Sequence, residues 1–164
     1  MCAHSASFWQ SECVDAVDRD IVYQLQLDGR VPNNELADRV GLTPSPCLRR
    51  VRHLEQAGVI RRYTAVVDPV AVGRGYEVLV WVTLREITRE TLADVEARLL
   101  ELDEVIEAQR MMGQPDYLVR IACRDAQQYE ALYIDHLAAL PHVQTLTSMT
   151  AMKTVKRHTP LIPQ

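Results

Sequence analysis

The chain has no cysteines at metal or redox spacing. Cys2, Cys13, Cys47 and Cys123 are scattered, with no C-x-x-C pair and no clustering with histidine. Neither a metal site nor a disulfide framework is expected, which fits a reducing cytosol. Cys47 and Cys123 fall on apolar faces and read as small buried hydrophobes. No stretch approaches the roughly 18 apolar residues of a membrane span. No basic region followed by an apolar core marks a secretory signal. Nucleophile elbows and phosphate-binding Gly-rich loops are missing, so no catalytic residue and no cofactor are expected. There is no internal repeat and no low-complexity tract. Positive charge is also short overall: 18 Lys and Arg against 22 Asp and Glu give a net charge of −4. An acidic total excludes a protein coated in nucleic acid and confines such binding to a local patch. What remains is 164 residues, 48% of them hydrophobic, which suits two small domains with real cores.

A local basic patch does exist. Between positions 45 and 63 five arginines stand against one acidic residue, Glu55. Residues 33–60 read as two helices joined by a short turn at Gly41-Leu42. The first carries Glu35, Leu36, Ala37 and Val40, with Asn33 or Asn34 as its cap. The second is announced by Thr43 as N-cap and Pro44 at the first helical position, and runs to about Ala57. Gly58 then supplies the positive φ that ends it. Cys47, Val51 and Leu54 share one face, and Arg49, Arg50, Arg52 and His53 fall on the others. An apolar back with guanidinium groups outward is the layout of a recognition helix. An ordinary solvated helix also has a basic face. The continuation favours the first reading: 59–68 is a β-prone run opening with Arg61 and Arg62, as expected for a wing strand. An earlier helix begins near Asp15 or Asp18, with Val17, Ile21 and Leu25 in phase, and stops at Asp28-Gly29.

The expected organisation is an N-terminal arm over 1–14, a winged helix-turn-helix over 15–67, a hinge over 68–75 and a second domain over 76–164. That second domain alternates strand (76–84), helix (88–102), strand (105–111), turn (113–116), strand (117–123), helix (125–140) and strand (143–156). The order β-α-β-β-α-β is the ferredoxin-like pattern, so the fold class is α+β. Two helices on one face leave the other face of the sheet to be covered by another subunit. Trp81 and the Thr/Met side of the last strand are the candidates for that face.

This two-part chain resembles the Lrp/AsnC (leucine-responsive, feast/famine) family of transcription regulators. The resemblance rests on Asp18-Arg19-Asp20-Ile21, Glu35-Leu36-Ala37, the run from Gly41 to Val51, Leu54-Glu55 and Gly58-Val59-Ile60. In the second half it rests on Gly113-Gln114-Pro115-Asp116-Tyr117-Leu118 and Val155-Lys156. It implies a cytoplasmic, nucleoid-associated regulator that binds double-stranded DNA. It also implies a homodimer built through the C-terminal sheets, assembling to a tetramer or octamer, and an amino-acid effector. Thr43, Ser45, Leu48, Arg49, Arg50, Arg52, His53, Arg61 and Arg62 are the candidate DNA-binding residues. Arg49 and Arg50 are expected in the groove, and Arg52, Arg61 and Arg62 on phosphates.

Met111, Met112, Gly113, Gln114, Pro115, Asp116, Tyr117, Leu118, Ser148 and Thr150 are the candidate effector-binding residues. An amino acid needs N–H donors for its carboxylate and an acceptor for its ammonium. Gly113 can present open backbone N–H groups, Asp116 can accept, and Ser148 and Thr150 share a strand face. A plain hairpin turn would use the same Gly and Asp for geometry alone. The apolar wall of Met111, Met112, Leu118 and Met149 suits an aliphatic, aromatic or sulfur-containing ligand. The architecture is similar too to tetrapyrrole (siroheme) decarboxylases that have lost DNA binding. The arginine-rich helix argues against that alternative.

Overall fold

The structure, a computed structural model, describes residues 14–156 and 160–161. The expected arm, with Phe8 and Trp9, lies outside the described residues apart from Val14. The described residues divide into two compact units, 14–65 with 156 and 160–161, and 66–155.

The first unit holds α1 (Ala16–Leu27), α2 (Asn33–Arg39) and α3 (Pro44–Gln56). Asp15 caps α1, its carboxylate accepting the Asp18 N–H at 2.8 Å. An asparagine cap on α2 was the expectation, but Pro32 takes that position without a side-chain bond. Asn33 is already helical, and its amide donates to the Pro44 carbonyl at 2.9 Å, tying the start of α2 to the start of α3. Gly41, at φ 69°, makes the turn between them in the left-handed region that suits glycine. Ile21, Leu36, Ala37, Cys47 and Leu54 are buried together with Val31 as the core. So few residues hold this unit that each apolar side chain, worth roughly 1.5–3 kcal/mol on burial, counts heavily.

The expected wing strand is not formed: residues 59–67 contain no strand. Their β-branched content is real, but β-propensity acts only where a neighbouring strand offers a ladder. The Ile60 N–H instead returns to the Leu54 carbonyl at 3.1 Å. Of the last described residues, 156 and 160–161 group with the first unit. There the Gln26 amide donates to the Leu161 carbonyl at 2.9 Å and accepts the Leu161 N–H at 2.8 Å.

The second unit contains β1 (Tyr76–Leu84), α4 (Arg89–Leu100), β2 (Val105–Arg110), β3 (Tyr117–Cys123), α5 (Ala126–Leu132) and β4 (Val143–Thr150). The antiparallel sheet runs β2-β3-β1-β4, as a split βαβ unit requires. Alternate residues Val78, Val80 and Val82 of β1 and Val119 and Ile121 of β3 point to the core with Val95 and Leu99 of α4. Thr88 and Thr91 form a reciprocal capping box at the start of α4. The helix expected over 125–140 changes character at Tyr133 and becomes a π-helical turn to Leu137, closed by Ala138 N–H to Tyr133 O at 2.8 Å. In an α-helix Leu132 and Leu137 would lie about 140° apart. The wider i→i+5 turn lets both reach the core, where they are buried.

The expected hinge, 68–75, is fastened to this second unit: Arg74 donates to the carbonyls of Asp103 (3.1 Å) and Ala122 (3.2 Å). β4 ends at Thr150, earlier than expected. The face of the sheet away from the helices carries Leu79, Trp81, Leu118 and Met149, with Trp81 41% and Met149 40% exposed. At its centre Arg120 pairs with Glu107 at 2.9 Å and Glu77 at 3.3 Å.

Candidate functional site

Helix α3 turns two different faces to its surroundings. Cys47 and Leu54 are buried against α1 and α2. On the opposite side Ser45, Leu48, Arg49, Arg52, His53 and Gln56 line one concave strip of about 410 Å³. Their spacing of three, one, three, one and three residues is a single helical stripe. Ser45 sits in the first turn between Pro44 and Pro46, which carry no N–H, so its own N–H, its hydroxyl and the helix dipole are what that turn offers a phosphate. Arg49 and Arg52 are exposed and form no ion pair among the described residues. Leu48, 38% exposed on this stripe, offers an apolar contact of the kind a thymine methyl accepts. Thr43 flanks the stripe as N-cap, exposed and with no side-chain cap bond. Arg61 and Arg62 are exposed beyond the helix end, again with no ion pair among the described residues.

Arg50 departs from the expectation. Its Nη1 donates to Asp15 Oδ2 at 2.7 Å and to Asp18 Oδ1 at 2.8 Å, so its charge is spent on α1. It is not among the residues that line the outer strip. The Asp15 carboxyl is held below its usual range by the Asp18 N–H first and by Arg50 second. Gln56 was missed by the sequence reading. The signal was available, because it lies seven residues after Arg49 on the same stripe. Tyr63 is similarly structural: its hydroxyl donates to Glu55 at 2.9 Å, and burial with that bond pushes it up to about 12.

In the second unit the turn at 111–116 projects Met111, 42% exposed, and Met112, fully exposed. Gly113 at φ 109° has open space where a side chain would stand. Gln114 is exposed and Pro115 half-buried. Asp116 places one carboxylate oxygen, Oδ2, on the sheet. It is buried, and its carboxylate accepts the Leu84 N–H at 2.7 Å while its own N–H bonds Val82 O at 2.9 Å. The carboxylate locks the turn onto β1. Tyr117 points to the core side, its hydroxyl donating to Glu96 of α4 at 2.9 Å, and burial together with that bond pushes it up to about 12. Leu118 points the other way, opposite Trp81.

Ser148 and Thr150 share a strand face as expected, but one chain does not bring them to the turn. From β4 they pair with Val80 and Val78 of β1, whereas the turn leads into β3 beside Val82 of β1. With β1 between, the two strands are about 10 Å apart, two strand spacings. Ser148 instead bonds the Tyr129 hydroxyl at 2.6 Å.

Comparison with known proteins matches both units. Residues 14–61 fit the winged helix-turn-helix DNA-binding family, and residues 77–161 fit the Lrp/AsnC ligand-binding domain family. The chain is 36% identical over 149 residues to the leucine-responsive regulatory protein of Escherichia coli K12, covering 91% of each. A transcriptional regulator of Neisseria meningitidis, solved with L-methionine, superposes with TM-score 0.86 at 34% identity, covering 91% of this chain and 96% of that one. A feast or famine regulatory protein of M. tuberculosis, also with L-methionine, gives TM-score 0.81 at 29% identity, covering 92% and 100%.

Proposed function

The chain belongs to the Lrp/AsnC family of DNA-binding transcription regulators, and from that premise we propose how it reads DNA and what it senses. A symmetric dimer lays two α3 helices in successive major grooves. The target is a pseudo-palindrome with half-sites about one helical turn apart. Arg49 reads a base edge, Arg52, Arg61 and Arg62 hold phosphates, and Ser45 and Thr43 steady the helix start. Leu48, His53 and Gln56 complete the contact strip. The observation that carries this reading is the stripe itself: charged and polar groups on the outer side of a helix whose inner side is fully packed.

The dimer forms through the sheet face bearing Leu79, Trp81, Leu118 and Met149, and dimers associate further into a tetramer or octamer. Exposed large apolar groups on one face support this. The effector is an amino acid with an apolar side chain, bound beside the 111–118 turn. Two relatives were solved with L-methionine and a third is named for leucine, which supports that class. Binding shifts the balance between assemblies, and so requires different affinities for them.

The test is mobility shift on the gene's own upstream DNA, with and without L-methionine or L-leucine, alongside particle sizing. A footprint that alters with one of them is the expected result. Folded protein that ignores that DNA at low salt, with and without amino acids, overturns the DNA-reading proposal.

A further inference from the structure

Charge along the chain is uneven in a way the DNA-reading stripe does not absorb. No Asp or Glu follows Asp135, and the only two lysines of the chain, Lys153 and Lys156, stand in that stretch with Arg157 behind them. A basic run is ordinarily just a solvated stretch. Two observations in the first unit say what this one is fastened to.

The first is a clasp. Gln26, in the last turn of α1, takes both backbone groups of Leu161. Its amide nitrogen donates to the carbonyl at 2.9 Å, and its amide oxygen accepts the N–H at 2.8 Å. One side chain thus does for Leu161 what an opposite residue does in an antiparallel ladder. The clasp reads backbone and not side chain, since Leu161 stays 80% exposed. So little apolar surface is covered that the contact adds little stability. What it fixes is position. Pro160, with φ held by its ring, stiffens the approach.

The second observation is the company the clasp keeps. Gln26 and Leu161 belong to one groove of about 390 Å³, lined also by Val22, Leu25, Arg61 and Arg62. The segment is therefore laid beside the two arginines assigned above to phosphates. Lys156, ahead of the clasped residue, groups with the same unit, is exposed and forms no ion pair among the described residues. Tethering a segment that carries Lys156 and Arg157 beside Arg61 and Arg62 gathers like charge. That is unfavourable until a polyanion is shared among them. A lysine ammonium is a point charge on a flexible stem, suited to holding a phosphate without reading a base.

We propose that this segment is a further, sequence-indifferent DNA contact of the first unit. Lys156 and Arg157 hold phosphates flanking the half-site, and Gln26, which touches no DNA, is a positioning residue that acts by clasping Leu161. This rests on the DNA-reading proposal above and extends its footprint beyond α3, Arg61 and Arg62.

The experiment is fluorescence anisotropy of the full chain on the gene's own upstream DNA and on random duplex, across a salt series. Each phosphate contact contributes about 0.9 to the slope of log K against log salt. A dimer carries two such segments, so Lys156→Gln combined with Arg157→Gln should flatten the slope by about 3.6. Both DNAs should weaken equally, leaving their ratio unchanged. Gln26→Ala keeps every charge and should still flatten the slope by at least about 1.8. Added to the double charge variant, it should change the slope no further. Melting should be unchanged in all of them; a large drop for Gln26→Ala would make the clasp a brace and overturn its positioning role. A wild-type slope in the charge variant or in Gln26→Ala overturns the contact and leaves the reading by α3 in place. Weakening on the specific DNA alone overturns it as well. A wild-type chain that binds neither DNA at low salt overturns both proposals.

Discussion

Arg49 and Arg50 are neighbours in sequence and differ completely in employment. Arg49 stands on the outer stripe of α3 with no ion pair among the described residues. Arg50, one residue on and about 100° around the helix, is held by two carboxylates of α1. The second unit holds a carboxylate tied to the fold in the way Arg50 is. Asp116 sits in an obvious turn and is buried on the Leu84 N–H. A charged residue contributes to binding only if the fold has not already satisfied it, and residue type alone does not reveal which case applies.

The comparison can be pressed from the scaffold outward. Leu54→Ala removes the buried support common to both faces of α3 and should cost about 2–5 kcal/mol, read by chemical denaturation. A negligible change would mean that the inner face is not the anchor. Asp116→Ala should cost about 1–3 kcal/mol of stability, because the buried Leu84 N–H loses its acceptor. If that variant kept its stability but lost amino-acid binding, Asp116 would be a ligand group after all. Arg49→Ala should weaken specific DNA binding by about 1–3 kcal/mol and leave random-sequence binding much less affected. Equal losses on both DNAs would demote Arg49 to a phosphate contact.

Arg50→Ala should show the opposite pattern: a lower denaturation midpoint and an unchanged ratio of specific to random binding. The smallest effect is on pH dependence. The Asp15 carboxyl is depressed in the folded chain, by the Asp18 N–H and then by Arg50. Its contribution is therefore complete above the unfolded value of about 3.9 and is lost as the pH falls through the folded value. The stability gap between wild type and Arg50→Ala should narrow on acidification below pH 4, followed by urea titration. A gap that stays constant would remove Asp15 as the partner that matters.

Local patterns were readable where the physics is local. Thr43-Pro44, Gly41 and Gly58 fixed α3 and its ends, and 3.6-residue spacing separated Cys47 and Leu54 from Ser45, Arg49 and Arg52. The β-α-β-β-α-β order followed from alternation and turn residues alone. The failures are long-range. Arg50 meets partners 32 and 35 positions earlier, and Asp116 meets a backbone group 32 positions earlier. Neither distance leaves a trace in spacing. The run at 59–67 had the composition of a strand without a ladder to join. Ser148 and Thr150 shared a face with each other, but only the strand order β2-β3-β1-β4 reveals that β1 stands between them and the turn.

The double hydrogen bond between Gln26 and Leu161 bears on how the molecule can be dissected. A fragment cut after Ala65 would look like a whole DNA-reading module on a linear map. It would nevertheless lack a piece of itself, since the residues that satisfy Gln26 come from the far end of the chain. Anyone preparing that half in isolation should graft 156–164 back through a linker, and any purification handle belongs away from that end.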